Sequence, residues 1–200
     1  MAQSYLNLYV PETTAPALKA STARQVCLSL LFAALTGACA QLKVFLPFTP
    51  VPVTGQVFAV LLSGAVLGKA YGPLSQLFYI GLGMLGVPWF VIGPIGPTGG
   101  YIVGFFAASF LTGHLMERWE HRLKSWPAAF LSMTAGVGVI YLLGLIQFSI
   151  FMKKSLIESI PLAVLPFIPF DILKAVCAAS AVRLRVRSTR SIKMPILIKK

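Results

Sequence analysis

Charge is nearly absent from the interior of this chain, and that absence constrains its fold more than any other feature. No Asp, Glu, Lys or Arg interrupts the run from Ala70 to Met116, and further charge-free runs lie between Arg24 and Lys43, from Val44 to Gly68, and from Pro127 to Phe148. A membrane-spanning helix needs about 20 mostly apolar residues, with about 17 still possible. Several such runs in one chain exclude an ordinary soluble globule. Composition agrees: 57% of the residues are hydrophobic and 11% charged, against about 25% charged in a soluble domain.

The run from Ala70 to Met116 is too long for one crossing and is broken across Gly86 to Gly100. The chain is therefore expected to be an all-α polytopic membrane protein of six transmembrane helices: Arg24 to Lys43, Val53 to Leu67, Gly72 to Gly86, Gly99 to Met116, Pro127 to Phe148 and Ser159 to Val182. The Pro47 to Pro52 segment reads as a loop ahead of the second helix. Pro161, Pro166 and Pro169 make the first half of the sixth irregular. Residues 1–21 read as a cytoplasmic lead, 22–182 as the membrane domain and 183–200 as a basic cytoplasmic tail.

Basic residues set the orientation. With six crossings, one side carries Lys19, Arg24, Lys69, Arg118, Arg122, Lys124 and the seven Lys and Arg from Arg183 to Lys200, which makes thirteen of seventeen. The positive-inside rule then puts both termini in the cytoplasm of a multi-pass cell-membrane protein. A net charge of +12 would suggest nucleic acid in a soluble chain. Here it reads as a topology signal, or as a tail held against anionic headgroups of the lipid bilayer, with no nucleic-acid partner. Cys27, Cys39 and Cys177 lie in apolar runs without metal-ligand spacing and read as packing residues.

Ala34 and Ala38, Gly64 and Gly68, and Gly100 and Gly104 are each spaced four apart, which places each pair on one helical face and permits close backbone approach. For Ala34 and Ala38, internal packing and a docking surface for a partner protein both remain open. Asp171 falls near the middle of the sixth apolar segment, where an ionised carboxylate is costly without a partner. Lys174, three residues on, shares its face. The pair reads either as an ion pair that locks the helix or as a recognition element for a polar ligand in an apolar cavity. Thr54, Gln56, Gln41 and Gln76, with Trp89, Phe90 and Tyr101, supply amides and aromatic rings suited to a small organic solute. The Gly96-Pro97-Thr98-Gly99-Gly100 turn precedes a helix start whose free N–H groups can face an anion.

No catalytic residues are assigned. The glycine turn is not followed by Gly-Lys-Ser/Thr, so no nucleotide loop is present. His114, Glu117 and His121 stand at helical spacing among basic residues that disfavour a cation, and no metal site or cofactor is expected.

Together these segments carry a family resemblance. The run GACAQLKVFLPFTPVPVTGQVFAVLLSGAVL (Gly37 to Leu67), then GKAYGPLSQLFYIGLGMLGVPWF (Gly68 to Phe90), GPTGGYIVGF (Gly96 to Phe105) and FIPFDILK (Phe167 to Lys174) resemble, in order, the BioY family of biotin-binding subunits of energy-coupling factor transporters. The resemblance covers about residues 25 to 182. It implies a substrate-capture subunit, not an enzyme, that binds biotin in an outward-opening pocket. Asp171 and Lys174 would take the ureido ring, with Gln56, Thr54, Tyr101, Trp89, Phe90, Gly99 and Gly100 around the ligand. It further implies a transmembrane coupling subunit, docked on Ala34 and Ala38, and a pair of ABC ATPases. A binding subunit for another small vitamin and a non-transporting assembly protein are the alternatives. Two departures bear on pocket size: Phe170 where glycine usually precedes the aspartate, and a short segment between Phe90 and Gly96 with no asparagine.

Overall fold

A computed structural model of the chain describes residues 22–90, 96–119 and 125–192. The expected N-terminal lead, the loop at 91–95, His121 and the end of the basic tail lie outside the described residues. In order, the elements are α1 (Thr22–Gln41), β1 (Lys43–Val44), β2 (Val53–Thr54), α2 (Gln56–Met84), α3 (Gly99–Trp119), α4 (Ser125–Met152), α5 (Leu156–Ala163) and α6 (Ile168–Ile192). Helices α1, α3 and α4 are each long and apolar enough to cross a membrane, α2 meets the same measure only by its total length and composition, and α5 with α6 forms a bent further candidate.

Helix α2 is a hairpin. Gly68 interrupts it at φ 76°, ψ −176°, a conformation open to glycine and strained for other residues. Beyond that break the chain runs back on itself. A Cβ on Gly72 would lie 2.8 Å from the Gly64 Cα, Gln76 reaches Ser63 at 3.1 Å, and Gln56 reaches Tyr79 at 2.7 Å. The arms, 56–67 and 69–84, correspond to the expected second and third helices. Counting them separately, the apolar segments number six among the described residues. Gly64 and Gly68 therefore do not share a continuous helical face, as their spacing had suggested, because the second of them is the turn.

At a rise of 1.5 Å per residue the two arms are roughly 18 and 24 Å long, short of a hydrocarbon core of about 30 Å. At the start of the first arm lies a feature that the sequence did not announce. Residues 43–54 form a two-stranded antiparallel ribbon that pairs Lys43 with Thr54 and Val44 with Val53.

At the Gly68 end, backbones are in near contact. A Cβ on Gly64 would collide with the Ser109 carbonyl, and one on Gly113 would fall 2.6 Å from the Lys69 nitrogen. Lys69 and Glu117 close this end with a 2.9 Å ion pair, and the Lys69 N–H donates to the same carboxylate at 3.1 Å. Glu117 is thus committed to the hairpin turn, and among the described residues no group of three His, Cys, Asp or Glu is placed to hold a metal. Higher up, Gln76 donates to Ser63 and Ser75, and Ser63 shares a 2.9 Å bond with Ser109. These fully buried bonds join both arms of α2 to α3, where polar side chains serve as interhelical contacts within an apolar surround.

The proline-rich start of the last segment is irregular, as expected. Helix α5 opens with a reciprocal capping box between Ser155 and Glu158; it ends before Pro166, and α6 departs at 59°. Helix α6 runs past the expected end at Val182 to Ile192, so the first part of the basic segment is helical.

The close approach at Gly64 generates a contrast. Gly64→Ala should cost about 1 to 3 kcal/mol through overpacking against the α3 backbone, or several degrees of melting temperature in detergent. Gly81→Ala, whose added methyl would meet nothing within 4 Å, should leave the midpoint unchanged or slightly raised. Equal midpoints for the two variants would show that the close approach does not organise the bundle.

Candidate ligand-binding site

The end of the bundle away from Gly68 is open. A cavity of about 410 Å³ is lined by the end of α1, the ribbon, the start of α2, Trp89 and Phe90, the start of α3, the second half of α4 and the start of α6. The up-and-down order brings these segments to one level. Its volume lies within the usual range for small-molecule pockets.

Asp171 and Lys174 both line it. Asp171 is only 4% exposed, yet it occupies the first turn of α6 and not the middle of a helix as expected, because the Pro166 break restarts the helix at Ile168. That places it near the positive end of the helix dipole. Lys174 donates to Oδ1 at 2.6 Å, and the Tyr141 hydroxyl donates to Oδ2 at 2.8 Å. A carboxylate can accept about four hydrogen bonds and an ammonium can donate three, so both heads keep capacity for a ligand. The arrangement can receive N–H groups at the acid and a carbonyl oxygen at the lysine.

Apolar and aromatic walls surround this polar floor: Val51, Val57, Phe90, Ile102, Phe105, Ile140 and Phe167. Tyr101 also lines the cavity, packed edge-on against Phe167 at 6.3 Å. Its hydroxyl donates to the Ala163 carbonyl at 2.5 Å, which satisfies an otherwise open carbonyl at the end of α5. Thr54 donates to the Gln56 side-chain oxygen at 2.9 Å while the Gln56 amide donates to Tyr79, so this amide is held in one orientation. Trp89 has φ 75°, uncommon for a bulky residue; its carbonyl accepts from Gln41 at 3.2 Å.

Of the residues singled out in the sequence, Asp171, Lys174, Gln56, Thr54, Tyr101, Trp89 and Phe90 meet at the cavity, and Gln41 joins them. Gly99 and Gly100 do not line it. Gly100 is buried against the Leu143 backbone, so its role is close packing of α3 on α4. The turn's nearby donors are also engaged internally: Gly99 N–H bonds to Gly96, and the N–H groups of Tyr101 and Ile102 bond to the Thr98 carbonyl. Gln76 sits in the buried network instead of the cavity. Phe170 is 45% exposed and is not among the lining residues, so its bulk does not narrow the cavity. Tyr141, Lys43 and Phe45 were missed. Only a lone tyrosine in the apolar fifth segment, and a lysine close to the Pro-rich loop, marked them in the sequence.

Fold and site together define a polytopic helical membrane protein with a ligand cavity at one end and a buried acid–lysine pair on its floor. A profile of the BioY family matches residues 12–191. The chain belongs to the BioY family. The biotin transporter BioY of Thermotoga maritima is 39% identical over 162 residues, which is 78% of this chain and 92% of the relative. The probable biotin transporter BioY of Pyrococcus horikoshii is 41% identical over 162 residues with the same coverage. A crystal structure of the S-component for biotin from an ECF-type ABC transporter matches with a TM-score of 0.75 and 25% identity, covering 84% of this chain and 92% of the other.

Proposed function

We propose that this protein captures biotin at the membrane as the substrate-binding subunit of an energy-coupling factor transporter. The observation that carries the reading is the Asp171–Lys174 pair on the floor of an otherwise apolar, aromatic-lined cavity. A cyclic urea presents two N–H donors beside one carbonyl acceptor, and the pair offers the complementary acceptor and donor. The thioether ring and aliphatic chain would be taken up by walls such as Phe90, Phe105 and Phe167. Tyr141 steadies the carboxylate from α4 and leaves its remaining lone pairs for the ligand.

The cavity lies at the end of the bundle opposite Lys69 and Arg118. The positive-inside rule assigns the basic end to the cytoplasm, which supports a cavity open to the outside and two cytoplasmic termini. Energy would come from a transmembrane coupling subunit and a pair of ABC ATPases. Ala34 and Ala38 are both exposed on α1, unlike Ala33 and Thr36, which face the bundle. That supports the use of Ala34 and Ala38 for docking the coupling subunit.

Three outcomes are expected. First, titration calorimetry on detergent-solubilised protein should show binding of biotin in preference to thiamine or riboflavin. Asp171→Asn and Lys174→Met should each weaken it roughly ten- to a hundredfold, as befits a charge-assisted hydrogen bond at about 1.5 to 3 kcal/mol. The double variant should lose less than the sum, and near wild-type affinity in both single variants would remove the pair from ligand recognition. Second, a reporter fused after Lys200 should be cytoplasmic, whereas protease cleavage of that terminus from outside intact cells would reverse the orientation. Third, Ala34→Leu or Ala38→Leu should prevent co-purification with a coupling subunit while biotin binding persists. Loss of folding in these variants would instead assign the face to internal packing.

A further inference from the structure

The charges lining the cavity do not cancel. They are Asp171, Lys174 and Lys43. Asp171 and Lys174 neutralise one another across 2.6 Å. Lys43 has no acidic partner among the described residues: Glu117 is committed to Lys69 and Glu158 to its capping box with Ser155. The loop at 91–95, Val-Ile-Gly-Pro-Ile, contains no acid in its sequence. Glu12 and Glu120, outside the described residues, precede α1 and follow α3 in the sequence.

The ribbon explains why this lysine is at the cavity. Lys43 pairs directly with Thr54, and side chains directly opposite in an antiparallel pair lie on the same face, so both line the opening. The Lys43 ammonium lies 5.9 Å from the Phe45 ring centroid, and Phe45 also lines the cavity. Lys43 is exposed and Asp171 buried. The cavity therefore has a neutral ion-pair floor and an uncompensated positive rim, a polarity matched by a ligand with a neutral polar head and an anionic tail.

We infer that Lys43 is a specificity-determining residue that recognises the carboxylate of the ligand at the rim and selects the free acid over its amide conjugates. The inference rests on the reading of biotin as the ligand, whose cyclic urea would occupy the floor and whose carboxylate would reach the rim. An ion pair at an exposed position is weaker than the buried one, so the expected discrimination is modest, roughly two- to fivefold.

The test uses the full chain in detergent and titration calorimetry with biotin and with uncharged biotinamide. Wild-type protein should bind biotin more tightly than biotinamide by that factor, and high salt should reduce the preference. Lys43→Met keeps a long apolar stem over Phe45 and should lower biotin affinity to the biotinamide level while biotinamide binding stays as it was, which also shows that the variant is folded. Lys43→Arg should restore the preference. Biotin and biotinamide bound equally by wild type, an undiminished preference in Lys43→Met, or equal loss of both ligands in that variant would each overturn the role of Lys43. A folded wild-type protein that binds neither ligand would instead overturn the biotin reading.

Discussion

The bundle depends on the near contact of backbones at its Gly68 end. Gly64, Gly72 and Gly113 bring both arms of α2 and the middle of α3 closer than any side chain would allow. Helices in lipid gain little from hydrophobic burial against one another, so close packing and interhelical hydrogen bonds must hold them. Here both occur together: the glycines permit the approach and the Gln76–Ser63–Ser109 bonds exploit it. Helices pinned this tightly at one end, with a first arm too short to fill the other, leave space there. The cavity is what remains, roofed by the ribbon at 43–54.

A second constraint follows from putting a carboxylate into that space. In an apolar site, an ionised group persists only when paired and hydrogen-bonded. Asp171 meets this requirement through three elements of different origin: Lys174 on its own helix, Tyr141 on α4, and the restart of α6 after Pro166, which sets the acid in a first turn. The proline break thus does more than bend the chain. It determines the depth at which the acid enters the cavity and makes the α6 start part of the site.

On α2 the closest backbone packing and the open site occupy opposite ends, while on α3 the Gly100 contact with α4 stands beside the cavity. The Gly68 end carries the Lys69–Glu117 closure. The open end is built largely from helix termini, the ribbon, and the Trp89–Phe90 segment tethered to α1 through Gln41.

The sequence by itself determined six apolar segments, an irregular proline-rich last segment, and the i, i+3 relation of Asp171 to Lys174. Each depends on residues near one another along the chain. Charge-free length, proline spacing and helical period are local properties, so they survive without knowledge of neighbours. Tertiary structure alone decided that Gly68 turns α2 into a hairpin, that Gly100 packs on α4 instead of lining the cavity, and that Gln76 belongs to the packing network. It also decided that Tyr141 completes the acid's hydrogen bonds and that Lys43 stands at the rim. These depend on the offset between helices and on the register of a two-residue ribbon, which are set by contacts between segments distant in sequence, and no local periodicity encodes them.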